Sequence, residues 1–139
     1  MSVKVVDLME MAHQPDARRA VLMNGPEMNA FFHIYARPGQ KDEMHCHNVG
    51  GTFYVIEGEC TMHFPEGEAA VLKPGMAGLI EPGSFYQLEN SGDGPMVLLG
   101  HHTLASQKEK TILYETRSEM VRPGLRTATE PPKRLTITI

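Results

Sequence analysis

Two histidines one residue apart are the strongest candidates for chemistry in this chain. Cys46 separates His45 from His47, and side chains at positions i and i+2 of an extended strand project from the same face. If the segment is a strand, both imidazoles point at one spot, where they can hold a metal ion or move a proton. By the same alternation, Cys46 should point away from the pair as a small buried residue.

The residues around the pair predict the elements that position it. Pro38 and Gly39 form a turn before it, and the β-branched and aromatic run at residues 52–56 follows it. The Glu-Gly-Glu sequence at residues 57–59 is typical of a hairpin turn. The stretch from residue 39 to residue 59 is therefore predicted to be a strand, a sharp bend, a second strand and a hairpin.

The rest of the chain predicts an all-β domain. Ten prolines and thirteen glycines interrupt short apolar runs, and 139 residues fit one domain. Residues 7–12 are predicted to form a short helix capped by Asp7. The predicted strands outside the central stretch are residues 19–23, 29–37, 60–64, 69–72, 76–80, 85–88, 96–99, 111–114 and 134–139.

The strand at residues 29–37 has two different faces. Phe31, His33 and Tyr35 share one face, while Phe32 and Ile34 lie on the other. One of these faces should line the interior of the predicted barrel.

Two motifs of this chain resemble the two signature motifs of the cupin superfamily. The first is matched by Gly39, His45, His47 and Gly58, and the second by Gly75, Pro82, Gly83 and Asn90. The resemblance implies a double-stranded β-helix, the cupin or jelly-roll barrel, with an N-terminal turn or short helix and a C-terminal strand extension. We expect an N-terminal segment with the first strand at residues 1–28, the barrel core at residues 29–104, and an extension at residues 105–139 that packs on the barrel or on a partner subunit.

The usual cupin ligand set is altered in this sequence. Gly51 stands where the resemblance places a glutamate ligand, and Tyr86 stands where it places a third histidine. Tyr86 is a candidate ligand or proton donor, although an aromatic side chain packed at the barrel mouth fits the sequence as well. His101 or His102 could supply a replacement ligand, since only one of two adjacent residues in a strand faces inward. Gly50 and Gly51 are expected to leave empty volume where a carboxylate would stand, and a substrate that chelates the metal directly could enter this space.

Charge and composition narrow the class of partner. The net charge of −4 argues against a nucleic-acid surface, and the chain shows neither an apolar run long enough to cross a membrane nor a secretory signal. We therefore expect a cytoplasmic protein whose two cysteines are free thiols. The C-terminal strand needs an edge to pair with. The resemblance to small cupins implies that another subunit can provide this edge, so we expect a homodimer.

The resemblance implies several possible functions. We favour a divalent metal (Fe, Mn, Ni or Zn) held by His45 and His47 that acts on a small-molecule substrate, as in cupin dioxygenases, lyases, decarboxylases or isomerases. A metal-free cupin that only binds or senses a small molecule is the alternative from another class. An acid-base isomerase is a further alternative, with one of these histidines as the base and Tyr86 as the acid.

Overall fold

Most of the chain forms short antiparallel strands separated by turns. The computed structural model describes residues 3–103 and 109–120, together with the backbone of residues 136–138. This part of the chain contains one short α-helix, a 3-10 turn at Pro65–Gly67 and twelve β-strands. The helix is α1 (Leu8–Ala12), and the strands are β1 (Lys4–Val6), β2 (Ala20–Asn24), β3 (Asn29–Tyr35), β4 (His45–His47), β5 (Gly51–Glu57), β6 (Cys60–His63), β7 (Ala69–Leu72), β8 (Ala77–Ile80), β9 (Gln87–Asn90), β10 (Met96–His102), β11 (Thr111–Leu113) and β12 (Thr136–Thr138).

Two walls of antiparallel strands enclose the core. One wall is a five-stranded sheet with the order β2-β3-β10-β5-β8. The other wall combines the sheet β7-β6-β9 with the pair β4-β11, which are joined by a bridge between His45 and Tyr86. Such a pair of walls is the architecture of a jelly-roll barrel. The prediction of an all-β double-stranded β-helix is confirmed.

The predicted two-faced strand separates the two hydrophobic clusters. Phe31 and Tyr35 point into the space between the walls, where they join the main core. Phe32 and Ile34 lie on the outer face of the five-stranded sheet. The main core also contains Phe53, Val55, Cys60, Met62, Leu72, Tyr86, Leu88, Met96 and Leu98.

Helix α1 covers the outer face of the five-stranded sheet. Asp7 caps it as predicted, because its carboxylate accepts a hydrogen bond from the Glu10 backbone N–H at 3.0 Å. Ala12 is buried against Phe32 and Val97, so the helix closes the second cluster. In the part of the chain that the structure describes, no helix reaches the length and apolarity needed to cross a membrane.

Several predicted strands have slightly different bounds in the structure, and two of these differences follow from packing. The strand expected at residues 85–88 lies at Gln87–Asn90, because Phe85 packs edge to face against Tyr114 outside the strand. The strand expected at residues 96–99 continues to His102. It can do so because Gly100 has no side chain, which lets the Phe31 ring pack directly on the strand backbone.

The chain ends pair with each other. Thr136–Thr138 is antiparallel to Lys4–Val6, with Val5 opposite Ile137. The sequence did not predict the strand at Lys4–Val6. The C-terminal strand therefore finds its edge within its own chain.

Candidate metal centre

Strand β4 carries the predicted histidine pair and is held from both sides. His47 is opposite Thr111 in the pairing with β11, and the backbones of His45 and Tyr86 exchange two hydrogen bonds of 2.9 Å. Both imidazoles face the interior, with His45 3% and His47 5% exposed, and their Nε2 atoms are 3.1 Å apart. Cys46 between them is also buried, and burial raises the pKa of its thiol. The structure thus brings the two predicted histidines together.

A third imidazole joins the pair from the end of β10. The His102 ring is buried and its centroid is 4.6 Å from that of His47. His101 is on the opposite face of the strand, partly exposed, with Nδ1 3.5 Å from the Thr52 hydroxyl. Of the two adjacent histidines that the sequence left open, His102 is therefore the one that faces inward.

The His102 ring fills the space beside Gly51. A Cβ atom at Gly51 would lie 2.8 Å from Cδ2 of His102 and 3.0 Å from the carbonyl oxygen of His101. The expectation that Gly50 and Gly51 leave empty volume for a substrate was therefore wrong at Gly51. A glutamate at this position would displace His102, so the two residues are alternatives in the same space.

Glu109 supplies the carboxylate of the cluster. One carboxylate oxygen contacts Nδ1 of His47, and the other is 2.7 Å from Nδ1 of His102. Burial by itself would raise the pKa of Glu109, but the interactions with His102 and His47 hold the pKa well below its usual range. One ligand atom from each of these three residues lies within 4.8 Å of the others. Nitrogen and oxygen atoms this close together can reach a single divalent ion.

Sequence reasoning missed Glu109 because it reaches the site from a distant segment. We call residues 109–120 the C-terminal strap. Its first residues are clamped by Asn48, whose backbone N–H donates to the Lys110 carbonyl at 3.1 Å and whose side-chain oxygen accepts from the Lys110 N–H at 2.6 Å. The sequence signal for a ligand such as Glu109 was indirect. Because Gly51 stands at the usual glutamate position, a carboxylate ligand would have to come from another segment of the chain.

Arg117 holds the other end of the C-terminal strap. Its guanidinium carbon is 4.6 Å from the centroid of the Phe85 ring and 4.3 Å from that of Tyr114. It also donates a hydrogen bond of 2.7 Å to the Tyr114 carbonyl, and the Tyr114 N–H donates to the Met44 carbonyl at 2.9 Å. Cation–π stacking of this kind fixes the strap against the barrel.

Three contacts follow one another through His45 and His47. Together they need one proton or metal ion more than two neutral imidazole rings supply. Nδ1 of His45 is 2.6 Å from the Glu43 carbonyl oxygen, the two Nε2 atoms are 3.1 Å apart, and Nδ1 of His47 meets the Glu109 carboxylate. Each contact joins two electron-rich atoms, so each needs a proton or a metal ion between them. Two neutral imidazoles bring only two protons.

An extra proton is disfavoured at this place. Burial lowers the pKa of His47 to about 4, despite the opposing effect of Glu109. The Nδ1 atom of His102 is also buried and has no well-directed hydrogen bond among the described residues, although a Glu109 oxygen is 2.7 Å away. Nitrogen atoms in such a position fit a metal ion.

Tyr86 lies beside the histidines at the boundary with the apolar core. Its side chain is 1% exposed, and its ring centroid is 4.7 Å from that of His45 and 5.7 Å from that of Phe53. The Tyr86 ring therefore contacts both the His45 ring and the apolar ring of Phe53.

The other histidines serve different contacts. His13 pairs with Glu57 and His63 pairs with Glu89, both near the surface. His33 is buried in the interior, where its Nδ1 is 2.8 Å from the Arg19 guanidinium.

The family of the chain follows from the barrel and from the sequence together. Residues 32–102 match the family model described as the cupin domain, which is just over half of the chain. The chain belongs to the cupin family. No match was found among the curated proteins.

Several solved structures share this cupin fold. A conserved protein with a double-stranded β-helix domain from Klebsiella pneumoniae has a TM-score of 0.65 and 23% identity, over 77% of this chain and 95% of its own. TT1209 from Thermus thermophilus has a TM-score of 0.59 and 27% identity, over 70% of this chain and 94% of its own. A cupin described as a sugar phosphate isomerase, from Silicibacter pomeroyi, has a TM-score of 0.55 and 19% identity, over 64% of this chain and 57% of its own.

Proposed function

We propose that this cupin binds one divalent transition metal through His47, His102 and Glu109 and uses it to act on a small molecule. Two imidazoles and one carboxylate are a frequent ligand set for iron and zinc, and they leave coordination positions open for a substrate. The ionised Glu109 offsets part of the charge of the metal, which two imidazoles alone would not do. In this proposal Glu109 of the C-terminal strap takes the role of the glutamate ligand that Gly51 replaces.

The observation that carries this proposal is that the three contacts through His45 and His47 need one proton or metal ion more than two neutral rings supply. If His47 and Glu109 held a metal, the one proton of a neutral His47 ring would be left on its Nε2 atom. That N–H would donate to Nε2 of His45, and the Nδ1–H of His45 would donate to the Glu43 carbonyl. Every polar atom in the three contacts would then be satisfied, and both rings would remain neutral.

In this arrangement His45 supports the ligand His47 and does not bind the metal. Metal-binding histidines commonly donate their second N–H to another protein group, which fixes the ring orientation. Because the two nitrogens of one ring face opposite ways, His47 as oriented here cannot bind one metal together with both His45 and Glu109. The predicted pair His45 and His47 and the set His47, His102 and Glu109 are therefore competing ligand sets.

A bound divalent metal would supply a Lewis acid that polarises a substrate oxygen atom. The chain's own residues would orient the substrate and handle protons. Tyr86 is next to His45 and is the proposed proton donor or acceptor. The apolar ring of Phe53 behind Tyr86 excludes water from that side.

Metal content is the first measurement. We expect close to one equivalent of a single transition metal per chain after purification without chelators, or after reconstitution with iron, manganese, nickel or zinc. Elemental analysis by inductively coupled plasma mass spectrometry measures it. The proposal is abandoned if the protein stays metal-free under all these conditions.

Three alanine variants decide between the two ligand sets. We expect His102→Ala to lose the metal, because it removes a ligand, and His45→Ala to weaken binding by about 10–100-fold, because it removes a supporting contact. His63→Ala, at a surface histidine paired with Glu89, is the matched control and should bind the metal like the parent. Loss of the metal from His45→Ala, with retention by His102→Ala, would assign the site to His45 and His47.

A metal-free acid-base isomerase is the second candidate. It is favoured by the contact between His45 and Tyr86 inside the barrel, and the structural similarity to a sugar phosphate isomerase is compatible with it. Isomerase activity in protein shown to be metal-free would support this candidate. A homodimeric state and a cytoplasmic location remain predictions from the sequence.

A further inference from the structure

Arg19 is a cation at the inner face of the barrel wall. It precedes Ala20, which pairs with Phe32, so the antiparallel register continues with Arg19 beside His33. The Arg19 guanidinium donates a hydrogen bond of 2.8 Å to Nδ1 of His33. Because His33 is 7% exposed and its ring centroid is 4.7 Å from that of Phe31, the contact directs the guanidinium towards the interior.

The position of Arg19 relates it to the metal centre. The His33 ring that holds Arg19 is stacked on the Tyr35 ring, with 6.4 Å between the centroids, and the Tyr35 hydroxyl donates to Asp42 at 3.2 Å. Asp42 is in turn 3.9 Å from Nδ1 of His45. The Phe31 ring contacts both the His33 ring and the His102 ring, with centroid distances of 4.7 and 4.8 Å.

Arg19 has spare capacity to bind an anion. Its hydrogen bond to His33 uses one of five N–H donors, and the acceptor is neutral. In the ranges 3–103 and 109–120, no carboxylate is within ion-pair distance of the guanidinium. The nearby Asp42 is engaged by the Leu88 N–H at 2.8 Å and the Tyr35 hydroxyl at 3.2 Å.

We propose that Arg19, oriented by His33, binds the charged group of the substrate, and that the substrate is a small organic anion carrying a carboxylate or a phosphate. This inference rests on the proposed function in one respect only, namely that the other end of the substrate would reach the metal. A divalent metal with one carboxylate ligand keeps a net positive charge, so the metal and Arg19 both favour an anion. The planar guanidinium matches the geometry of either anion.

The test compares anions with neutral analogues of the same size. Binding of lactate and lactamide, and of glycerol 3-phosphate and glycerol, is measured by isothermal titration calorimetry with metal-free and zinc-loaded protein. We expect at least one anion to bind at least about tenfold more tightly than its neutral partner. The first pair tests for a carboxylate and the second for a phosphate.

Variants at two neighbouring arginines locate the binding. Arg19→Gln keeps a donor for His33 but removes the charge, and should weaken anion binding at least about tenfold. Arg19→Lys keeps the charge and should bind more tightly than Arg19→Gln. Arg18→Gln is the matched control, since Arg18 is the adjacent residue and is exposed, and it should bind like the parent.

Two results would overturn this inference. One is that neither anion binds to either form of the parent protein. The other is that Arg19→Gln and Arg18→Gln bind the anion equally well. The titrations with metal-free protein do not depend on the metal site. If elemental analysis shows that the protein binds no metal, these titrations still test whether Arg19 binds the anion.

Discussion

The two ends of the space between the walls are built from the same strands but are filled with opposite chemistry. At one end, Val55, Leu88 and Leu98 are completely buried among other apolar side chains. At the other end, His47 and His102, which are also buried, contact the carboxylate of Glu109. Strands β5 and β10 contribute to both ends, so a single sheet holds a hydrophobic core and a polar cluster.

The difference teaches which end stabilises the barrel. A fully buried leucine contributes about 1.5–3 kcal/mol through the hydrophobic effect. A buried polar group costs free energy unless all its hydrogen bonds or ion contacts are made. We therefore expect the apolar end to set the free energy of unfolding and the polar end to set metal affinity, so that variants can change the two properties separately.

The largest effect is expected at the apolar end. Leu98→Ala should lower the free energy of unfolding by about 3 kcal/mol, because it leaves a cavity in a close-packed core. Metal affinity of the folded protein should stay within about threefold of the parent. Chemical denaturation and metal titration measure the two quantities. Leu79→Ala is the control, since Leu79 is 79% exposed and its loss should change stability by less than about 0.5 kcal/mol. A large loss of metal affinity in Leu98→Ala would mean that the two ends are coupled.

The opposite result is expected at the polar end. Glu109→Gln should lower metal affinity by at least about 100-fold, because it removes the only negatively charged ligand of the proposed set and leaves two neutral imidazoles. Competition with a metal-binding dye measures the affinity. Glu115→Gln removes an exposed carboxylate from the same strap and should have no effect. Equal affinities for the two variants would exclude Glu109 from the site.

A smaller effect is expected from the support of the strap. Arg117→Ala removes the stacking on Phe85 and Tyr114, so the strap should hold Glu109 less firmly. We expect metal affinity to fall about tenfold, within the range known for supporting residues. The exposed Arg37→Ala is the charge-matched control and should leave affinity unchanged. An unchanged affinity in Arg117→Ala would show that the clamp at Asn48 suffices.

The smallest effect is expected at the boundary between the ends. Tyr86 belongs to the main core and also contacts His45. Tyr86→Phe keeps both sets of ring contacts and removes only the hydroxyl. Stability should change by about 1 kcal/mol or less, and metal affinity should stay within about twofold. A drop in metal affinity beyond tenfold would make the phenol a ligand, which was one of the possibilities open from the sequence.

Local patterns in the sequence were enough to predict the elements of the barrel. The alternation of β3 correctly separated Phe31 and Tyr35 from Phe32 and Ile34. Strand shifts at β9 and β10 came from packing between distant residues, such as Phe31 on the backbone of Gly100. No local pattern reports such contacts, because they depend on how the strands are placed in the sheet.

The sequence by itself determined that His45 and His47 share one face, since side chains alternate in any strand. It left open which of His101 and His102 faces inward, and it contained no direct sign of Glu109. The tertiary structure decided both. The pairing of β10 with β3 and β5 turns His102 inward, and the strap brings Glu109 to His47 because Thr111 pairs with a residue 64 positions earlier in the chain. A short-range pattern fixes the direction of a side chain, whereas the partners of that side chain depend on contacts between segments that are far apart in the sequence.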